Sequence, residues 1–244
     1  MENALLIGLS RQMAMTRDMA TIANNIANVN TTAYKAETMM FEQFMKTDAS
    51  ELSPDKRITF VQDVGQYRNM RDGALQTTGN PFDIAITGEG YFRVDTQDGV
   101  RFTRNGNFNL NNEGQLVTSA GDLVLTDAGA PIAFANDETG ITIARDGTIS
   151  TDQGLRGRLA VVTFENPQAL KKTGDSLFET DQQEIPAEDI RLVQGALEGS
   201  NVNPILEMTN MIEVSRAYAS AQKIIDQADQ MRRQAIQQLG GSAA

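Results

Sequence analysis

The sequence predicts an α+β chain in which N- and C-terminal helices pair as an antiparallel, coiled-coil-like hairpin, with an all-β domain of antiparallel hairpins inserted between them. Three observations predict it. Apolar residues near both ends recur at intervals of three and four, which gathers them on one helical seam. The middle carries glycine turn pairs every seven or eight residues, the beat of short hairpins. Both ends are electrically neutral, and the whole net charge of −11 lies in residues 48–204, where 13 basic groups face 24 acidic ones.

Residues 3–29 read as one helix. Leu5, Leu6, Leu9 and Met13 are followed by Met15, Met19, Ile22, Ile26 and Val29 at steps of four, three, four and three. Asn24, Asn25, Asn28 and Asn30 crowd the same turns. Asparagine is a mediocre helix former whose amide competes for backbone partners. Kept beside an apolar seam, it predicts a helix packed on several sides, with amides pairing across helices. The plainer reading is a fraying helix end that runs into an Asn/Thr turn. After that turn comes an apolar cluster of undetermined type, Met39, Met40, Phe41, Phe44 and Met45, which closes an N-terminal segment 1–46. Residues 47–79 read as linker and extended connector, since 47–57 is polar and contains Pro54.

Residues 80–190 read as the β-domain. Asp83–Thr87 and Tyr91–Val94 are short apolar or alternating runs, separated by Gly88 and Gly90. Turn pairs follow at Asp98-Gly99, Asn105-Gly106, Glu113-Gly114, Ala120-Gly121 and Ala128-Gly129. Between and beyond them lie strand-like segments at 100–103, 123–125, 141–143, 147–149 and 159–164. Residues 191–203 form a return segment. Asn203-Pro204 is a helix start, a capping side chain followed by proline at the first helical position. From there Met211, Val214, Tyr218, Ala221, Ile225, Ala228, Arg232, Ala235 and Leu239 keep a three-four spacing through a C-terminal helix and tail, 204–244. A two-helix hairpin with so many alanines on its seam buries little area, so its stripes ask for neighbours from other subunits.

Composition narrows the chemistry. The chain has no cysteine, histidine or tryptophan, which removes the usual zinc and copper sites, a Ser-His-Asp triad and a thiolate nucleophile. The acidic turns Asp95–Gly99 and Asn109–Gly114 offer oxygen ligands, but neither has the spacing of a calcium loop, and each sits where a hairpin places Asn and Asp anyway. Gly88-Glu89-Gly90 lacks the third glycine and the helix of a nucleotide loop. No cofactor or metal is therefore expected. Nucleic acid is a poor partner for an acidic chain, and no apolar run reaches the length of a membrane span.

Several blocks carry more than pattern: Met1-Glu2-Asn3, Gly8–Gln12, Ile22–Lys35, Phe82–Phe92, Phe102–Gly106, Leu197–Asn203, Glu207–Ile212 and Arg216–Tyr218. In this order they resemble the flagellar rod and hook protein family. Ala33-Tyr34 stands where Gly-Phe is commoner in that family, and Ala33 suggests a turn that needs no positive φ. The resemblance implies a structural subunit of the flagellar basal-body rod, of proximal type by its opening and modest length, with the distal type as the near alternative. Its partners would be copies of itself, other rod proteins and the flagellar type III export apparatus. It would act in the bacterial basal body, exported without a cleaved signal peptide, through neither nucleic acid nor membrane insertion and without enzymatic activity. Phe41–Met45 resembles a Phe-x-x-x-apolar export motif, with Phe41 and Met45 as its anchors. Leu6, Leu9, Met13, Met15, Met19, Asn24, Asn25, Asn28 and the two seams are the expected subunit interface. A reading from another class is a secreted carboxylate enzyme or glycan-binding β-domain whose helices merely oligomerise it.

Overall fold

The computed structural model describes residues 2–47, 57–135, 137–187 and 190–241, and side chains within these except 2–7, 41–47, 57–64, 235, 236 and 239–241. The chain forms two compact units. Unit 1 holds Met1–Ala27, Glu37–Arg68 and Asn203–Ala244; unit 2 holds Asn28–Ala36 and Asn69–Val202.

Unit 1 contains helix α1, Glu2–Ala27, and strands β1, Glu37–Thr47, and β2, Arg57–Arg68. The two strands pair antiparallel from Glu37↔Arg68 to Thr47↔Arg57, with one bulge between Met40 and Phe41. The undetermined apolar cluster 39–45 is thus strand. The segment expected as connector, 47–79, includes β2, and the polar stretch around Pro54 lies outside the described residues. The first helix ends at Ala27, so Val29, expected on its seam, lies in the following turn and belongs to unit 2.

Unit 2 contributes β3 (Leu75–Thr77), β4 (Ile84–Thr87), β5 (Tyr91–Thr96), β6 (Gly99–Thr103), β7 (Phe108–Leu110), β8 (Leu116–Thr118), β9 (Leu123–Val124), β10 (Thr142–Ile143) and β11 (Thr148–Thr151). It continues through β12 (Gly154–Arg158), β13 (Val161–Thr163), β14 (Lys171–Gly174), β15 (Leu177–Glu179), β16 (Ile185–Pro186), β17 (Arg191–Gln194) and β18 (Ala196–Glu198). Its largest sheet runs in the order β14-β15-β6-β5-β9-β8-β7, with β13 also on β5 and β16 on β13. All its pairings are antiparallel, as the hairpin beat predicts. One apolar core is built on Ile84, Ile86, Phe92, Phe108, Leu116, Ile149 and Leu192. A second gathers Tyr91, Phe102, Phe164 and Phe178 on the other face of the β5/β6 ladder, where side chains alternate. Phe92 against Phe108, at 5.1 Å and 77°, and Phe102 against Phe164, at 4.8 Å and 76°, are edge-to-face pairs. Helix α2, Pro204–Gly241, then returns the chain to unit 1, started by Asn203, whose side chain accepts from the Ile205 and Leu206 amides.

The turn glycines divide into two kinds. Gly99, Gly114, Gly121 and Gly129 have φ between +73° and +99°, the left-handed backbone of tight turns. Gly106 departs from the hairpin reading. It is buried, and a Cβ there would stand 1.7 Å from the Ile84 carbonyl oxygen, so this glycine permits a close backbone approach. Ala33 also departs: its φ is +57°, a left-handed conformation held by an alanine, costing about 1–2 kcal/mol locally. Its amide donates to the Glu198 carbonyl at 2.8 Å, which fixes it there.

These two kinds of glycine separate on substitution. Gly106→Ala forces backbone apart and is expected to cost at least about 3 kcal/mol. Gly121→Ala, with φ +97° and open space around it, is expected to cost about 1–2 kcal/mol. Urea denaturation of the two variants checks the order; equal losses would place Gly106 in a turn after all.

Candidate assembly surface

Unit 1 gathers exposed apolar side chains. On α2, Met211, Val214, Tyr218, Ala221, Ile225 and Ala228 make the half-buried face, whereas Arg232 is exposed. Helix α1 runs antiparallel beside it. Gln12 donates to Gln222 Oε1 at 2.5 Å, and a Cβ on Gly8 would meet Ile225 Cγ1 at 3.0 Å. Further along, Asp18, Thr21 and Ile22 share a crevice with Glu207, Asn210 and Val214; burial pushes the Asp18 carboxyl up. Away from that face α2 presents Ile205, 77% exposed, with Met208, Ile212, Ile224 and Met231, and α1 presents Leu9 and Met13. Uncovered large apolar side chains at this density mark a protein–protein surface.

The expected residues are distributed unevenly over this surface. Ile22 is buried, and Met15, Met19 and Ile26 are half-buried, while Leu9 and Met13 face outward. The side chains of Leu6, Leu239, Phe41 and Met45 lie outside the described residues; Phe41 and Met45 have their backbones in β1. Of the asparagines, Asn24 is exposed, Asn28 is half-buried, and Asn25 is 1% exposed. The Asn25 amide pairs with the first residue of β1. Its Nδ2 donates to the Glu37 carbonyl at 2.8 Å, and its Oδ1 accepts from the Glu37 amide at 3.0 Å. One side chain thereby supplies β1 with the pair of bonds that a neighbouring strand would give.

Unit 2 holds a buried charge cluster that sequence reasoning missed. The Glu198 side chain is 1% exposed. Its Oε1 accepts from Lys35 Nζ at 2.6 Å and from the Gly73 amide at 2.9 Å; its Oε2 accepts from Arg104 Nε at 2.7 Å. Arg104 also reaches Asp72 Oδ1 at 2.6 Å and the Gly88 and Gly90 carbonyls. Lys35 bonds the Arg71 carbonyl at 2.7 Å. Burial and the Arg104 charge push the Lys35 ammonium below the usual lysine range, opposed by its bond to Glu198 and by the charges of Glu198 and Asp72. Next to the cluster, Asn201 splices three segments: its Oδ1 accepts from the Ala36 amide, and its Nδ2 donates to the Asn69 and Arg71 carbonyls. Such an arrangement ties chain segments together. Among the described residues no group of three or more Asp, Glu, His or Cys is placed to hold a metal ion, and no helix is long and apolar enough to cross a membrane.

Comparison with known proteins decides the family. Three family models match: "Flagella basal body rod protein" over residues 5–35, "Flagellar hook protein FlgE/F/G D1 domain" over 85–151, and "Flagellar basal body rod FlgEFG protein C-terminal" over 193–238. The flagellar basal-body rod protein FlgF of Caulobacter vibrioides is 40% identical over 242 residues, 98% of this chain and 99% of its own. The chain belongs to the flagellar basal-body rod family. The FlgF of Mesorhizobium japonicum is 33% identical with both chains fully covered. The rod protein FlgG of Bacillus subtilis is 32% identical over 97% of this chain and 98% of its own. As a member of the rod family, the chain is a structural subunit of the flagellar basal body and serves motility. Lys35, Arg104 and Glu198 fall one in each of the three matched stretches. That is why no local motif could reveal them: the signal is a contact between residues 163 positions apart.

The Asn25 pairing gives the test for this site. Asn25→Ala leaves the Glu37 amide and carbonyl without these partners and is expected to destabilise unit 1 by about 2 kcal/mol. Faster hydrogen exchange at Glu37 and a lower thermal midpoint would show it; unchanged exchange would mean that solvent already reaches that backbone.

Proposed function

We propose that this chain is a proximal rod subunit that self-assembles through its paired terminal helices, packs them in coiled-coil fashion and transmits motor torque without catalysing a reaction. The observation that carries this is the 40% identity to a FlgF protein over nearly the full length of both chains, joined to the uncovered apolar faces of α1 and α2. The subunit-facing positions are then Leu9, Met13, Ile205, Met208, Ile212, Ile224 and Met231. The half-buried set from Met15 to Ile26 and from Met211 to Ala228 holds the two helices together within the subunit. A distal position is the second reading, favoured by FlgG relatives that match at 32–35% identity. Partners are further copies, other rod proteins and the flagellar type III exporter. The acidic balance, with a pI near 4.5, speaks against nucleic acid.

Ile212→Glu tests the assembly face. Ile212 is 53% exposed, so the isolated subunit is expected to keep its stability within about 0.5 kcal/mol. Cells carrying it are expected to lose swimming in soft agar and to lack complete rods by electron microscopy. Normal swimming with intact rods would remove this face from the interface.

Export has its own test. Residues 1–46 fused to a passive reporter are expected to direct secretion in a flagellated strain and to lose it when the flagellar exporter is deleted. Secretion that survives the deletion would refute the route.

A further inference from the structure

We propose that residues 28–36 and 196–201 form a latch on unit 2 that opens and closes as one piece while the two apolar cores stay folded, with Glu198 as the residue that closes it. The argument begins with what holds residues 28–36. Ala33 donates to the Glu198 carbonyl at 2.8 Å, the Asn201 amide donates to the Tyr34 carbonyl at 3.2 Å, and Ala36 donates to Asn201 Oδ1 at 2.7 Å. Lys35 meets Glu198 Oε1 at 2.6 Å and the Arg71 carbonyl at 2.7 Å. These partners come from 196–201 and from the adjoining 69–71. Neither apolar core draws a buried residue from 28–36 or 196–202. The latch therefore rests on polar bonds, on the short β18–β3 ladder and on the Tyr34 ring, whose centre lies 4.6 Å from Lys172 Nζ, and not on the buried residues of either core; segments built in this way open first.

Two local costs make the latch two-state. Ala33 sits at φ +57° without being glycine, a strain that persists only where the surroundings over-determine it. Lys35 and Arg104 are 4% and 3% exposed, and two buried cations are tolerable only with an anion between them. Glu198 supplies that anion, and Asp72, whose side chain is 40% exposed, completes the set. Closure also requires Gly73: a Cβ there would stand 1.9 Å from the Gly199 carbonyl oxygen. Because the chain passes between its two units after residues 27, 36, 68 and 202, each passage lies within a few residues of this latch or of the segment it splices. Closing it fixes where all four passages leave unit 2. Residues 28–36 cannot lock without Glu198 and Asn201, so a chain that stops before residue 198 cannot close the latch.

Native-state hydrogen exchange of the full-length protein, followed by mass spectrometry in sub-denaturing urea, tests this. The amides of 28–36 and 196–201 are expected to share one opening, at least tenfold more frequent than that of peptides from β5 and β8. Glu198→Gln and Gly73→Ala, one removing the charge and one only the fit, are both expected to raise exchange of the two latch segments tenfold or more. Core peptides in the same variants should stay within twofold. Glu184→Gln, which alters a half-buried pair with Arg93, should leave the latch unchanged. If wild-type latch and core amides exchange together, or if either variant unfolds both equally or changes neither, the latch is part of the core and the proposal fails.

Discussion

A single carboxylate, that of Glu198, balances two buried cations, and the chain's route through unit 2 depends on it. The idealised cost of moving one ion into a protein interior is large, and pairing offsets it only with good geometry and filled hydrogen-bonding positions. Here both carboxylate oxygens meet a cation within 2.7 Å, and one also takes the Gly73 amide. The arrangement adds little net stability compared with a well-packed apolar plug of the same volume. What it adds is uniqueness: Lys35 and Arg104 can be buried only with the return strand in this register. A one-residue slip of β18 against β3 would turn Glu198 to the opposite face.

That register links the two halves of the fold's logic. Unit 2 combines local hairpins, whose turns are set by positive-φ glycines, with long-range pairings such as β17 on β4 and β15 on β6, and its cores join residues as distant as Ile84 and Leu192. The latch too uses neighbours far apart in sequence, but joins them through polar groups. Ala33 illustrates the exchange: its left-handed backbone is unfavourable alone, yet its amide and the next two residues each gain a partner from 198–201. Asn25 repeats the device in unit 1, where one buried amide stands in for a strand and supports the first residue of β1. In both places a short polar side chain, not apolar area, fixes where regular structure begins.

How much of this was legible in the sequence follows from the range of each interaction. Helical seams and hairpin turns are local, so the two helices, the half-buried α2 face and four of the five glycine turns could be read directly. Met39–Met45 could not be assigned, because two short apolar runs around Glu42-Gln43 fit strand and helix alike; the pairing with residues 57–68 decides it. Asn105-Gly106 has the sequence of a hairpin turn but serves a close approach to Ile84, which lies more than twenty residues away. The outward helix faces were legible only as apolar content. The described residues of the sequence seam as far as Ala228 are buried or half-buried, whereas Ile205, Met208 and Ile212, off that seam, are exposed. Lys35, Arg104 and Glu198 looked like ordinary surface charges, since nothing within ten residues of any of them announces burial.

The division of charge fits a subunit that must be soluble alone and crowded in an assembly. Unit 1 carries twelve acidic and ten basic residues, whereas unit 2 carries twenty acidic and eleven basic. Net charge of one sign keeps free proteins apart in solution. Placed on the helices, the same charge would recur at every contact of a repeating structure, and like charges brought close cost energy at each repeat. Under the proposed assembly the helices, nearly neutral and apolar outward, would escape that cost, and attraction between subunits would follow buried area, at about 25 cal/mol per Å². Exposed β-domain charges more than about 10 Å apart are largely screened at physiological salt. On the proposed function, assembly through unit 1 and repulsion through unit 2 can coexist in one chain, in keeping with a neutral pair of helices that flanks so acidic a middle.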